Sequence, residues 1–379
     1  MKNLFYIFLL LLCSSCNSSE NGTIIFNAKD NYPEIGLKLS DVADVEYIHL
    51  KPGEDSILIN GFTNKARELF VTNDKIFLLD QNRKIVIYDH FGNPLTKIES
   101  VGRGPKEFVG LIDFLADSTK NEIYFFSGDG KKMLIFDFEG KYKKHYPKDR
   151  VTYFQNVNLL ENSKFLGYRR VFKEGDKRPI LTILSSKFEN ESSIPLNHKR
   201  PYIFDPDGVL EYSSIINSRK GEFLFSLRSD TIYFLDNRLK IIPRFVDKTP
   251  YGSENIQIYP TIETNEYVFF CTLFSHITDP DGKLRYFVYD KKKKEFFRLK
   301  QFSGTVKDRN FKRDFQLALI NDFIEINSLT LTLNNNIAAT LIPAHLLIEN
   351  RESLPLKLKE ISKNLNENDN PVLMLIKFK

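Results

Sequence analysis

The sequence predicts an all-β protein: a β-propeller of six or seven blades, a toroid of four-stranded antiparallel sheets in one domain over residues 37–379. Three observations lead there. Strand-like runs rich in β-branched and aromatic residues follow one another with almost no helical period between them. A turn–strand–turn–strand unit recurs, with Gly92 and Gly140 at matching positions 48 residues apart. The two ends of the chain carry alternating runs, VEYIHL (45–50) and VLMLIKFK (372–379), suited to lie in the same sheet.

The elements are justified in order from the N-terminus. Lys2 is followed by nine apolar residues, Leu4 to Leu12. That run is too short to span a bilayer and has the form of a secretory signal core. Small residues Ser14-Ser15 stand directly before Cys16. The pattern resembles the bacterial lipobox, which implies a signal peptide over 1–15 and a mature chain beginning at an acylated Cys16. Each buried lipid methylene contributes about 0.8 kcal/mol, so several acyl chains anchor without a transmembrane helix. Residues 16–36 are polar and are expected to form a flexible tether. The expected location is the cell envelope of a Gram-negative bacterium, lipid-anchored to a membrane. Glu20 is the one acid close behind the cysteine, so periplasm-facing and surface-exposed orientations both stay open.

Past the tether come VEYIHL (45–50), ELFVT (68–72), KIFLLD (75–80), KIVIYD (84–89), EIYFFS (122–127), KMLIFDF (132–138), TIYFLD (231–236), EYVFFCTLF (266–274) and LRYFVYD (284–290). Turn signals separate them: Asn73-Asp74, Phe91-Gly92-Asn93-Pro94, Gly128-Asp129-Gly130, and Asp-Pro-Asp-Gly at 205–208 and 279–282. The stretch 73–98 aligns with 120–146, and both end a strand on Asp, an aromatic and Gly. A four-stranded repeat of this length is the spacing of a propeller blade, and about 340 residues hold six or seven of them. Later copies are eroded. Helical candidates are 312–323 and, shorter, 342–352. Pairing the two ends of the chain in one blade closes a ring and removes a free edge.

Chemistry is sparsely signalled. The formal charge of +5 over 379 residues is too slight for a nucleic-acid-binding face. Cys271, in the apolar run YVFFCTLF, lacks a partner in the mature chain and reads as a buried, inert thiol. The six histidines, His49, His90, His145, His198, His276 and His345, show no ligand spacing, and neither a metal site nor a cofactor is expected. The Asp-Pro-Asp-Gly segments lack the further spaced oxygens of an EF-hand and read as turns. No nucleophile elbow is present, and no catalytic residue is nominated. The loop GRGPKEF (102–108) is the ligand-binding candidate. Its Arg103, Lys106 and Glu107 are expected near the mouth of the ring, where the loop returns to start the next blade. It lacks phosphate-loop spacing. In GYRR (167–170), Arg169 is a second cationic candidate.

The stretch ESVGRGPKEFVGLIDFLADSTKNEIYFFSGDGKKMLIFDFEGK (99–141) resembles an NHL-type propeller repeat. With the lipobox, LSDVADVEYIHLKP (39–52), SDTIYFLDNRLKIIPRFVD (229–247) and NPVLMLIKFK (370–379), the chain resembles the six-bladed β-propeller lipoproteins of Bacteroides and relatives. In that family the loop usually reads Gly-x-Gly-Pro-Gly-Glu-Phe; Lys106 here takes the place of the third glycine. The resemblance implies a six-bladed propeller anchored in the envelope; the anchor, the propeller and the lack of a catalytic signature point to a membrane-anchored scaffold for a peptide, glycan or protein ligand. The alternative is an envelope lyase or hydrolase with a metal on the propeller axis.

Overall fold

The computed structural model describes residues 22–53, 69–79, 84–109, 111–127, 132–147, 154, 156–160, 163–169, 179–194, 204–205, 208–209, 213–218, 221–226, 229–249, 257–273, 285–300, 330–334 and 337–379. The signal peptide 1–15, Cys16, the helical candidate 312–323, Gly128–Gly130, Arg170, His198, His276 and the turn at 279–282 lie outside the described residues.

Three short strands lead: β1 (Ile24–Phe26), β2 (Glu34–Ile35) and β3 (Ala43–His49). Blade one is β4 (Leu69–Val71), β5 (Lys75–Leu79), β6 (Ile85–Asp89) and β7 (Pro94–Ile98). Blade two is β8 (Leu111–Asp117), β9 (Glu122–Ser127), β10 (Lys132–Asp137) and β11 (Tyr142–Pro147). Blade three is β12 (Asn156–Leu159), β13 (Phe165–Tyr168), β14 (Leu181–Leu184) and β15 (Asn190–Ile194). β16 (Phe204–Asp205) pairs antiparallel with β17 (Gly208–Val209) on either side of Pro206-Asp207, which lie outside the described residues.

Blade four is β18 (Ser213–Ser218), β19 (Gly221–Ser226), β20 (Thr231–Asp236) and β21 (Ile241–Asp247). Blade five is β22 (Gln257–Glu263), β23 (Tyr267–Leu273), β24 (Tyr286–Asp290) and β25 (Glu295–Leu299). Blade six takes β26 (Thr330–Asn334), β27 (Ile337–Ile342) and β28 (Val372–Phe378) from the C-terminal end and β3 from the N-terminal one. The β3–β28 pairing is antiparallel over seven residues, Val372 opposite His49 through Phe378 opposite Ala43. The closure expected from the two ends of the sequence is therefore present, and the fold is a six-bladed β-propeller.

The first strands of the blades meet one another: β4 touches β26, β8 touches β12, and β18 touches β12, β22 and β26. They form the inner ring, and each later strand lies further out. This radial order explains the composition. Middle strands are covered on both faces by neighbouring blades, so β9 (EIYFFS) is buried throughout. Outermost strands need less apolar surface, so β11 (YKKHYP) and β15 (NESSI) are largely polar and exposed. Apolar clusters join each blade to the next. Phe77, Ile87, Phe114 and Phe125 join blades one and two, for example, and Leu373 and Leu375 meet Leu69, Ile76 and Tyr88 across the closing seam.

The turn between the third and fourth strands repeats more faithfully than the sequence does. Asp89, Asp137, Ser185, Asp236 and Asp290 lie at successive spacings of 48, 48, 51 and 54 residues. In each, one side-chain oxygen accepts two backbone N–H bonds from the turn: Asp89 from Phe91 (2.9 Å) and Asn93 (2.8 Å), Asp236 from Arg238 (2.9 Å) and Lys240 (2.8 Å). Asp137, Ser185 and Asp290 do the same. A left-handed residue completes each turn: Gly92 (φ 79°), Gly140 (80°), Phe188 (67°), Leu239 (61°) and Lys294 (60°). Gly92 is the most constrained, because a Cβ there would sit 2.1 Å from the His49 carbonyl oxygen.

Two expectations are corrected. Residues 16–36 are not a tether throughout: β1 pairs in parallel with β21, Ile24 opposite Phe245, and β2 pairs in parallel with β25, Glu34 opposite Arg298. Phe26 is fully buried, with its ring 5.0 Å from those of both Phe287 and Phe296. The cause is the apolar triplet Ile24-Ile25-Phe26, which supplies both a strand edge and a core side chain. Blades four and five thus have five strands rather than the four expected. The second correction concerns helices. Within 342–352 the helix α2 (Ala344–Glu349) forms as expected, but α1 (Leu39–Val42) and α3 (Leu356–Lys363) were not foreseen. Both are short, and α3 starts directly after Pro355, where a missing N–H costs a helix nothing.

Candidate functional site

The loop GRGPKEF joins β7, outermost in blade one, to β8, innermost in blade two. Its last residue sets its position. Phe108 is fully buried and stacks on Phe125 with centroids 5.4 Å apart. Its N–H bonds the Ser100 carbonyl at 2.8 Å, and its carbonyl accepts from Gly102 N–H at 3.0 Å. The result is a parallel bridge from Phe108 to Val101 on the edge of blade one. Glu107 folds back, its Oε2 accepting from Gly104 N–H at 2.8 Å, and Lys132 Nζ on β10 donates to the Gly104 carbonyl at 2.6 Å. Lys106 Nζ lies 5.4 Å from the ring centroid of Tyr142 on β11.

The loop is therefore a clasp between blades. Lys106 reaches the outermost strand of blade two, which corrects the expectation that the loop's charges gather at the central mouth. The burial of Phe108 is the physical reason, since it pins the loop along the face of the blade. Lys106 also avoids a positive φ, so the missing third glycine requires no strain. Arg103 is exposed and makes no hydrogen bond or ion pair among the described residues. Arg169 is 3 % exposed, and its Nε donates to the Pro179 carbonyl at 3.1 Å. It extends blade three beyond β13, its N–H bonding Ile180 O at 2.8 Å. The four charged candidates are thus not brought together.

The inner ring holds polar groups that the sequence did not flag. Asn158 on β12 is 1 % exposed, and neither its Oδ1 nor its Nδ2 has a partner among the described residues. Its neighbours Val157 and Leu159 pack on the blade-two side with Leu115 and Tyr124, so alternation turns Asn158 to the blade-four side. Thr261 on β22, also 1 % exposed, is the extra residue of a bulge between Pro260 and Ile262, and its Oγ1 is unpaired among the described residues. A buried carboxamide without partners is costly, and such sites hold water or a polar guest. The signal in the sequence was an asparagine at the centre of NVNLL, indistinguishable there from a turn residue.

A second polar group lies at the closing seam. Lys377 Nζ on β28 bonds Glu46 Oε2 on β3 at 2.7 Å, and His90 Nε2 from blade one lies 3.3 Å from Glu46 Oε1. Burial works against the Glu46 charge, but Lys377, His90 and Lys357 together hold its pKa below the usual carboxylate value. Burial lowers the pKa of His49, whose Nε2 has no partner among the described residues; Asp369 opposes this and Lys51 adds to it. Among the described residues no three His, Cys, Asp or Glu side chains converge as a metal site. Cys271 is 2 % exposed, with its thiol pKa pushed far up by burial, as expected of an inert core residue.

These features define a closed six-bladed propeller with an N-terminal strap on its rim and unfilled polar groups in its inner ring. The chain belongs to the DUF4934 family, a domain of unknown function whose model matches residues 23–377. No curated protein matches it. Among solved structures it is similar to a Bacteroides fragilis protein named as exported, at 16 % identity and a TM-score of 0.64, covering 94 % of this chain and all of that one. It is also similar to a DUF4221-family member from Bacteroides vulgatus, at 13 % identity and a TM-score of 0.50, covering 89 % of this chain and 97 % of that one. Likeness at these identities shows the fold.

Proposed function

We propose that the protein is a lipid-anchored envelope scaffold, held by Cys16, whose propeller binds a peptide, glycan or protein ligand at its inner ring. The observation that carries the binding reading is Asn158: a buried amide on an innermost strand with two donors and an acceptor unfilled. Both capacities match the donor and acceptor of a peptide bond or an N-acetyl group. The strap supports the division of labour, because it occupies the rim and leaves the ring's interior to a ligand. The name of the Bacteroides fragilis neighbour supports export, and the signal-like N-terminus supports the anchor.

The test has two arms. Wild-type protein should incorporate labelled fatty acid and partition with membranes, and Cys16→Ala should do neither; equal partitioning without label sinks the anchor. Ligand co-purifying with the detergent-extracted protein, identified by mass spectrometry, should be lost from Asn158→Leu. That variant should also be more stable by about 1–2 kcal/mol, since it removes an unsatisfied buried polar group. Undiminished ligand retention by folded Asn158→Leu excludes the inner-ring site.

A further inference from the structure

The strap fixes where the chain leaves the ring. From β3 in blade six it runs back over blade five through β2 and ends on blade four at β1. Lys248 N–H bonds the Phe26 carbonyl at 2.7 Å, and Ala28 N–H bonds Thr249 Oγ1 at 2.8 Å, so the blade-four attachment is built from backbone and core contacts. We propose that the outer edge of blade four is the surface this protein turns to an anionic lipid bilayer. The inference rests on the lipid-anchor reading above.

The length of the leader sets the geometry. Eight residue steps separate Cys16 from Ile24. They span about 28 Å when fully extended and about 15 Å on average as a coil. A domain of this length is about 50 Å across. The leader therefore keeps the blade-four rim within reach of the membrane, while blade one, diametrically opposite in a six-membered ring, lies beyond that reach.

The surface at this edge suits the assignment. β1 is the outermost strand of the sheet, and Ile25 at its centre is 63 % exposed. An open strand edge carrying a large apolar side chain is normally covered. Arg238 and Lys240, in the turn leading into β21, and Lys248 at its end are exposed and make no ion pair among the described residues. Lys248 lies next to β1, while Arg238 and Lys240 lie about 20 Å away at the other end of β21, so cations occupy both ends of an outer strand that carries an exposed apolar residue, an arrangement that matches an acidic headgroup layer.

The repeated turn supplies equivalent probe positions in five blades: Phe91, Glu139, Lys187, Arg238 and Lys292, each two residues beyond its turn Asp or Ser. Each is replaced by Cys in the full-length lipoprotein, with Cys271 buried and unreactive, and labelled with a donor dye. The protein is placed on phosphatidylglycerol-containing vesicles carrying an acceptor on the lipid headgroup. Energy transfer should be greatest at Arg238→Cys, lower at Lys187→Cys and Lys292→Cys in the flanking blades, and lowest at Glu139→Cys and Phe91→Cys. Replacing Lys240 and Lys248 by Ser should reduce the spread between Arg238→Cys and Phe91→Cys without releasing the protein, since the leader still holds blade four near the surface. Equal transfer from all five sites, or a maximum in another blade, overturns the orientation while leaving the anchor intact. No transfer anywhere, with no lipid on Cys16, overturns the anchor and the orientation with it.

Discussion

Lys294 shows how a single residue can carry the strain of a repeat. It is exposed, and it holds a left-handed φ of 60° in a turn one residue longer, four residues after Asp290, where blades one and two place a glycine three residues after their Asp. A side chain in that region costs about 1–2 kcal/mol. Glycine removes the clash but adds freedom to the unfolded chain, which returns roughly half of the gain. Lys294→Gly should therefore stabilise the protein by about 0.5–1 kcal/mol in denaturant titrations; unchanged or lower stability contradicts the account. Phe188 occupies the same kind of position with the opposite balance. Its ring lies 5.2 Å from Phe126 and 6.1 Å from Phe154, so packing offsets the backbone cost and glycine would not help. Of the left-handed side chains in the later turns, Phe188 is buried, Leu239 half-buried and Lys294 exposed, so packing offsets the backbone cost most fully in blade three.

The strap is the element whose role departs furthest from its local character. A polar tether tolerates substitution anywhere along it. In this chain Phe26 fills a pocket among Tyr32, Phe287 and Phe296, with Tyr32 stacked at 5.6 Å. Phe26→Ala removes that ring and leaves a cavity between blades four and five, which should cost about 3–5 kcal/mol. Thermal or denaturant unfolding measures it directly, and a loss below about 1 kcal/mol would mean that the strap is a loose appendage. Phe108 does the same for blades one and two, from within the chain's own inter-blade loop. Phe26 lies in parallel pairing with β21 and Phe108 makes a parallel bridge to Val101, just after β7, and each covers the next blade.

At the scale of the whole molecule, stability depends on a seam that unites residues 43–49 with 372–378. Two titrating groups there respond to acid in different windows. His49 has a folded pKa below its unfolded value near 6.5, so the unfolded chain binds the proton more readily. Its contribution is complete above pH 6.5 and declines as pH falls from there through the folded pKa. Glu46, with a folded pKa below its unfolded value of 4.5, contributes above pH 4.5 and loses that contribution as pH falls through the folded pKa. His49→Gln should flatten the fall in melting temperature just below pH 6.5 and leave the steeper loss at lower pH. An unaltered profile between neutrality and pH 5 would show that the seam does not sense histidine protonation.

Much of the architecture was legible because its causes are local. Strands buried on both faces demand continuous apolar runs such as EIYFFS, and the Asp-based turn is built within five or six residues, so blades announce themselves wherever the turn keeps its glycine. Ring closure was legible for a related reason: two alternating runs at opposite ends each lacked a neighbour. What required the folded chain were partners distant in sequence. Ile24 looks like the end of a tether until β21, more than 200 residues away, offers it an edge. GRGPKEF looks like a mouth loop until Phe108 finds Phe125. Arg169 looks available until blade three buries it, and Asn158 looks like a turn asparagine until β12 and the neighbouring blades bury it. Backbone propensity and apolar pattern act over a few residues and decide strand, turn and repeat; burial and polar pairing are properties of the closed ring, and they decide which of its groups are left for function.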